Sequence, residues 1–127
     1  MSSERYLLDT QILLWMDRRP EKISHRLRTS LDAGLEIYFS AASTWEIAIK
    51  SSLGKLSISH PMSALTERFG FLELTVTTRY AEAAAELPLH HRDPFDRMLV
   101  AQAMVEGLVL VTADRRLSEY GVKVLAV

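Results

Sequence analysis

Asp9, Glu46, Asp93, Asp96 and Asp114 each fall near a seam between a short apolar run and a helical pattern. Carboxylates gathered at one edge repel each other and raise one another's pKa unless a positive charge sits among them. An oxygen-only set of this kind suits Mg²⁺ or Mn²⁺, hard cations held by carboxylates and water, rather than zinc. Such ions can lower the pKa of a bound water toward neutrality and stabilise negative charge that develops on oxygen.

Each acid also has an ordinary structural reading. Asp9 follows Tyr6-Leu7-Leu8 and precedes Thr10-Gln11, so it could simply cap a helix. Glu46 lies beside the stripe Trp45, Ala48, Ile49 and Leu53, at its edge, four residues before Lys50, where a surface pair adds only a few tenths of a kcal/mol. Asp93 before Pro94 is a helix start, with Asp as cap and Pro at the first helical position. Capping explains Asp96 less well, because Leu99, Val100 and Ala103 share its helical face and draw its carboxylate inward, where it needs a partner or a metal. Asp114 follows Leu108-Val109-Leu110-Val111-Thr112-Ala113 and again precedes a short helix.

The elements that must position these acids are legible in the apolar pattern. Short runs rich in branched and aromatic residues predict strands at 5–9, 36–40, 72–76, 108–112 and 122–126. The last two are almost continuously apolar, as in parallel strands buried on both faces. Helical stretches are predicted at 11–18, 22–32, 42–53, 61–69, 79–87, 94–106 and 115–120. Pro20, Gly34, Gly54, Pro61, Gly70, Pro88, Gly107 and Gly121 punctuate their ends. Strand–helix alternation implies an α/β fold with a mainly parallel, five-stranded sheet, whose ligands bind beyond the carboxyl ends of its strands.

The 127 residues carry 15 Lys+Arg against 16 Asp+Glu, a net charge of −1, and suit one domain over 1–127. An apolar content of 48% with 24% charged residues argues against disorder. With no overall positive field, affinity for nucleic acid must come from local basic patches or from metal ions. The absence of cysteine excludes disulfides, thiolate metal sites and a Cys nucleophile, and cytoplasm is the expected compartment. The start Met-Ser-Ser-Glu-Arg does not read as a signal peptide, and the longest apolar stretch, 98–113, is broken by Gln102 and Glu106 and too short to span a bilayer.

The blocks Leu7-Leu8-Asp9-Thr10, Ser43-Thr44-Trp45-Glu46-Ile47-Ala48-Ile49-Lys50, His91-Arg92-Asp93-Pro94-Phe95-Asp96-Arg97-Met98-Leu99-Val100-Ala101-Gln102-Ala103 and Leu110-Val111-Thr112-Ala113-Asp114 together resemble the PIN-domain ribonucleases, and within them the VapC-like toxins of prokaryotic toxin–antitoxin pairs. The resemblance runs essentially end to end, and its third block is the most specific. It implies a three-layer α/β/α domain with Mg²⁺- or Mn²⁺-dependent endoribonuclease activity, a homodimer, and a cognate antitoxin that occludes the acidic pocket. It maps an acidic quartet onto Asp9, Glu46, Asp96 and Asp114, with Thr112 as a polar helper. On this reading Asp9, Asp96 and Asp114 ligate metal directly or through water, and Glu46 orients the attacking water or completes the shell. Asp93 either touches metal or only caps its helix.

Around the acids, Arg97, Arg115, Arg116 and Lys50 are placed to hold RNA phosphate, with charge balance as the competing reading. Arg18, Arg19, Lys22, Arg26 and Arg28 read as a solvated helix face, and the adjacent His90 and His91 as loop residues. Trp15 and Trp45 read as core or dimer contacts. Two rival functions stand beside the nuclease. One is another α/β phosphohydrolase with Asp9 as nucleophile, although Gln11 occupies the place where the usual haloacid-dehalogenase pattern has a second Asp. The other is a non-catalytic module that binds RNA or protein and uses its carboxylates only as caps.

Overall fold

A computed structural model describes residues 4–33 and 36–127. The amino-terminal Met1-Ser2-Ser3 and the predicted boundary at Gly34 lie outside the described residues. In chain order the elements are β1 (Tyr6–Leu8), α1 (Thr10–Arg18), a 3-10 turn (Pro20–Lys22), α2 (His25–Asp32), β2 (Ile37–Ser40), α3 (Ala41–Ser52), α4 (Met62–Phe69), β3 (Leu72–Leu74), α5 (Thr78–Glu86), α6 (Pro94–Glu106), β4 (Val109–Thr112), a 3-10 helix (Arg115–Tyr120) and β5 (Val124–Ala126).

All strand pairs are parallel, in the order β3-β2-β1-β4-β5. The chain therefore winds outward from β1 to β3, then crosses back to lay β4 on the other side of β1, in register through Leu7 with Leu110 and Leu8 with Val111. The strand order reverses between β1 and β4, and a crevice opens there at the carboxyl edge.

Alternation along the central strands separates two cores. Tyr6 and Leu8 of β1 and Val109 and Val111 of β4 pack with Ile12, Leu13, Leu27, Ile47, Met62 and Leu65 of the first four helices. Leu7 and Leu110 point to the opposite face, against Leu99, Val100 and Ala103 of α6 and Leu117 and Tyr120 of the last helix. Successive side chains of a strand face opposite ways, so β1 and β4 are clothed on both sides and helices must cover both faces. Each fully buried Leu at these positions contributes about 2 kcal/mol by leaving water.

Several expectations shift at the edges. The helix predicted over 22–32 begins only at His25, because the Ser24 side chain accepts the Leu27 N–H and caps it there. The strand predicted over 72–76 stops at Leu74, since Thr77 caps α5. The run at 122–126 is not a doubly buried strand: β5 starts at Val124 and forms a half-exposed sheet edge, whereas β4 is buried throughout.

Gly107 ends α6 at φ +68°, turning the chain from the helix directly into β4. A Cβ there would meet nothing within 4 Å, so the left-handed backbone alone sets the cost of a side chain. Gly107→Ala is expected to lower unfolding free energy by about 1 kcal/mol without changing the fold, as measured by denaturant titration.

Candidate metal centre at the carboxyl edge

Asp9 is held by both of its oxygens. Oδ1 accepts the Ile12 N–H at 3.0 Å and caps α1, while Oδ2 accepts a short hydrogen bond from the Thr112 hydroxyl. Its own N–H donates to the Val111 carbonyl at 3.0 Å, which ties it to the neighbouring strand. Burial pushes the Asp9 carboxyl above its usual range, against the opposing pull of the Thr112 hydroxyl. Thr112, fully buried at the end of β4, thus links the two central strand ends.

Glu46 corrects the reading of α3. The apolar stripe, read at Trp45 as core or dimer contact, is largely outside, with Trp45 65% and Leu53 62% exposed, so it is not core. The buried face is instead Ala42, Ser43, Glu46 and Ile47. The Thr10 hydroxyl lies 2.8 Å from Glu46 Oε1 and 2.9 Å from Ser43 Oγ, so its one proton goes to the carboxylate while it accepts from Ser43. The expected pair with Lys50 does form, at 2.7 Å. It is more than a surface pair, because the carboxylate is buried and its hydrogen bond raises the Lys50 pKa.

Asp93 caps α6, accepting from the N–H groups of Phe95 at 2.8 Å and Asp96 at 3.2 Å. Asp96 stands in the first turn with no capping duty. Its pKa is pushed up to about 6, first by burial and then by the negative charge of Asp93, against the opposing pull of His91, with smaller contributions from Asp9 and Glu46. Asp114 goes the other way, down to about 2, because Arg116 grips it with Nε at 3.0 Å and Nη2 at 2.9 Å. It also caps the 3-10 helix through the Arg116 N–H.

One cleft of about 450 Å³ is lined by Asp9, Glu46, Asp93, Asp96 and Asp114 together with Thr10 and Lys50. Four elements distant in sequence thus deliver the whole acidic set to one place. The carboxylates fit a divalent cation by chemistry and by strain: two are raised in pKa by burial, Asp96 further by its neighbours' charge, and Lys50 is the cation that shares the lining.

Two of the residues expected to hold phosphate are placed otherwise. The Arg97 guanidinium donates to the backbone carbonyls of Ala84 at 2.8 Å, Leu87 and Pro88 at 3.0 Å and His91 at 3.3 Å, so it fixes the loop before α6 rather than a ligand. Arg115 is exposed and outside the cleft lining, and Arg116 beside it makes the contact to the site. His91, read from sequence as a loop residue, has Nε2 3.2 Å from Asp114 Oδ2 and Nδ1 3.7 Å from Asp96 Oδ2. Thr10 and Ser43 were also unassigned. The signal for all three was their position inside the blocks that carry the acids.

The fold and site define an open parallel α/β domain with an acidic cleft at its switch point. The PIN domain family model matches residues 6–123, and the chain belongs to that family. It is 28% identical over 117 residues to "Ribonuclease VapC22" of Mycobacterium tuberculosis, covering 90% of each chain. The fold is similar to that in the crystal structure of VapBC2 from Rickettsia felis bound to a promoter DNA fragment, with a TM-score of 0.75 at 15% identity over 96% of this chain and 98% of that one. It is also similar to a toxin–antitoxin complex from Klebsiella pneumoniae, with a TM-score of 0.66 at 16% identity over 95% and 96%. The three-layer α/β/α architecture expected from the sequence is the observed one.

Proposed function

We propose that the chain is a Mg²⁺- or Mn²⁺-dependent endoribonuclease, the toxin of a toxin–antitoxin pair, acting as one cytoplasmic domain over 1–127. The observation that carries this reading is the convergence of Asp9, Glu46, Asp96 and Asp114 on a single cleft. The similarity to a protein named as a ribonuclease and to toxin–antitoxin complexes supports it. Among the described residues no helix is long and apolar enough to cross a membrane.

In this mechanism Asp9, Asp96 and Asp114 would hold the ion, which would supply an activated water and a contact for a phosphate oxygen. Glu46, steadied by Thr10, orients the attacking water and accepts its proton. Thr112 keeps the Asp9 carboxylate turned toward the cleft. Lys50 holds the RNA phosphate by charge, a role helped by its half-exposed ammonium.

The phosphohydrolase alternative asks Asp9 to attack phosphorus, yet the place two residues on, where the usual haloacid-dehalogenase pattern has a second Asp, holds Gln11 in the cleft lining. The binding-module reading is favoured by one observation, that Asp9, Asp93 and Asp114 all do cap helices. Calorimetric Mn²⁺ titration beside an RNA cleavage assay separates these. Wild type is expected to bind Mn²⁺ and cleave RNA internally, and Asp9→Asn to lose about 100-fold or more in affinity together with cleavage. A folded wild type that neither binds Mn²⁺ nor cleaves RNA leaves the binding module standing.

The cognate antitoxin and a homodimer belong to the same proposal. The outward stripe of Trp45, Ala48 and Leu53 is the surface offered for such contact, with Phe95 edge-on to Trp45 at 5.6 Å. Trp45→Ala is expected to leave unfolding free energy within about 0.5 kcal/mol at a monomer concentration while raising the dimer dissociation constant, read by sedimentation. An unchanged dissociation constant would place the dimer contact elsewhere.

A further inference from the structure

We infer that the cleft's cation is held by nitrogen as well as oxygen: the His91 imidazole joins Asp96 and Asp114 as a ligand, which turns the centre's preference from Mg²⁺ toward Mn²⁺ and other first-row ions. This rests on the reading that the cleft binds a divalent ion, and it adds a residue outside the acidic quartet.

Three observations carry it. His91, Asp96 and Asp114 each present one ligand atom, all within 4.8 Å of one another, a spacing that one ion can close by side-chain rotation. The second is an orphaned atom. His91 Nδ1 is buried and has no hydrogen-bond partner among the described residues, and Asp96 Oδ2 at 3.7 Å is beyond hydrogen-bond reach. A buried polar atom left unpaired needs an explanation, and an ion is one of the few available.

The third observation is that the imidazole's contacts are all to the site itself: Nε2 lies 3.2 Å from Asp114 Oδ2 and 3.4 Å from Arg116 Nη2, and the ring does not hold its own loop. The loop carrying His91 is fixed through its backbone: the His91 N–H donates to the Tyr120 hydroxyl at 2.8 Å, and its carbonyl accepts from Arg97 and from Tyr120, each at 3.3 Å. These contacts would survive almost any side chain at this position. His90, its neighbour, does pack structurally, edge-on to Tyr120 at 5.1 Å. The His91 ring is the one turned between two carboxylates, with Nε2 toward Asp114 and the unpartnered Nδ1 toward Asp96.

Imidazole suits first-row transition ions, whereas Mg²⁺ takes oxygen and keeps its waters. The test is pulsed electron paramagnetic resonance of the Mn²⁺-loaded full chain, with Mn²⁺ and Mg²⁺ affinities measured by calorimetry for wild type, His91→Gln and His91→Asn. Expected are a ¹⁴N coupling to Mn²⁺ in wild type that both variants lose, a Mn²⁺ affinity lowered about tenfold or more in the variants, and a Mg²⁺ affinity within about threefold of wild type. Wild type that binds Mn²⁺ without a ¹⁴N coupling overturns the assignment of His91 while leaving the carboxylate site intact. Wild type that binds no Mn²⁺ overturns both this and the proposed function. The wild-type spectrum requires no variant to fold, and circular dichroism checks the two that are made.

Discussion

Asp96→Asn is expected to make the metal-free protein more stable while removing its metal binding and about 10³-fold or more of its RNA cleavage. The physical reason is that Asp96 is strained where it stands: burial and the charge of Asp93 raise its pKa to about 6, and Asp9 and Glu46 add to the same effect. A carboxyl that binds its proton more tightly folded than unfolded loses stability as pH rises from the unfolded value near 3.8 through about 6, and the full cost is present at pH 7. Asn keeps the shape and removes the charge. With solvent screening of this partly exposed group, the gain is about 1 kcal/mol, or about 4 °C in thermal midpoint at neutral pH, vanishing near pH 4. The same proton competes with the cation, so wild-type Mn²⁺ affinity should climb with pH up to about 6 and flatten above it. Thermal scans and calorimetry at pH 4.5 and 7.5 read both effects. A variant less stable than wild type at pH 7.5 would mean that Asp96 is a structural acid.

Arg97→Ala is expected to carry the largest stability loss of any change near the site, about 3 kcal/mol by denaturant titration. Its guanidinium serves four carbonyls, those of Ala84, Leu87, Pro88 and His91, and no single replacement satisfies them. Hydrogen bonds from a charged donor are among the stronger ones, and three of the four carbonyls are part-buried, where water replaces a lost donor only in part. The freed loop leads directly into Asp93 and Asp96, so metal affinity should fall with stability although Arg97 touches no ion. Arg97→Lys should recover only part, since an ammonium lacks the planar fork. The competing reading, Arg97 as a phosphate contact, makes the opposite prediction: weaker RNA binding with unfolding free energy unchanged.

These two residues also mark how far the sequence reached. By itself it determined the parallel α/β architecture, because strand and helix periods are local: Leu110 and Val111 announce a strand clothed on both faces, and Asp93-Pro94 announces the start of α6. It also determined that Asp9 and Asp114 stand at strand ends, since each follows the last residue or two of an apolar run. The inward pull on Asp96 was legible from Leu99, Val100 and Ala103 on its helical face.

Only the tertiary structure decided which face of α3 is buried. Periodicity says that Trp45, Ala48 and Leu53 share a stripe, but what covers a stripe depends on the elements packed around it. Here Ala42, Ser43, Glu46 and Ile47 face inward, where Thr10 of α1 reaches Glu46, and the aromatic side is left outside. Arg97 and His91 differ from expectation for the same reason. Both sit beside acids in the chain, yet the arginine is taken up by the carbonyls at the end of α5, and the histidine is carried to an aspartate 23 positions away by the packing of Tyr120 against its loop. Local spacing fixes which residues can share an element, while the partners of a long side chain are set by where another element ends.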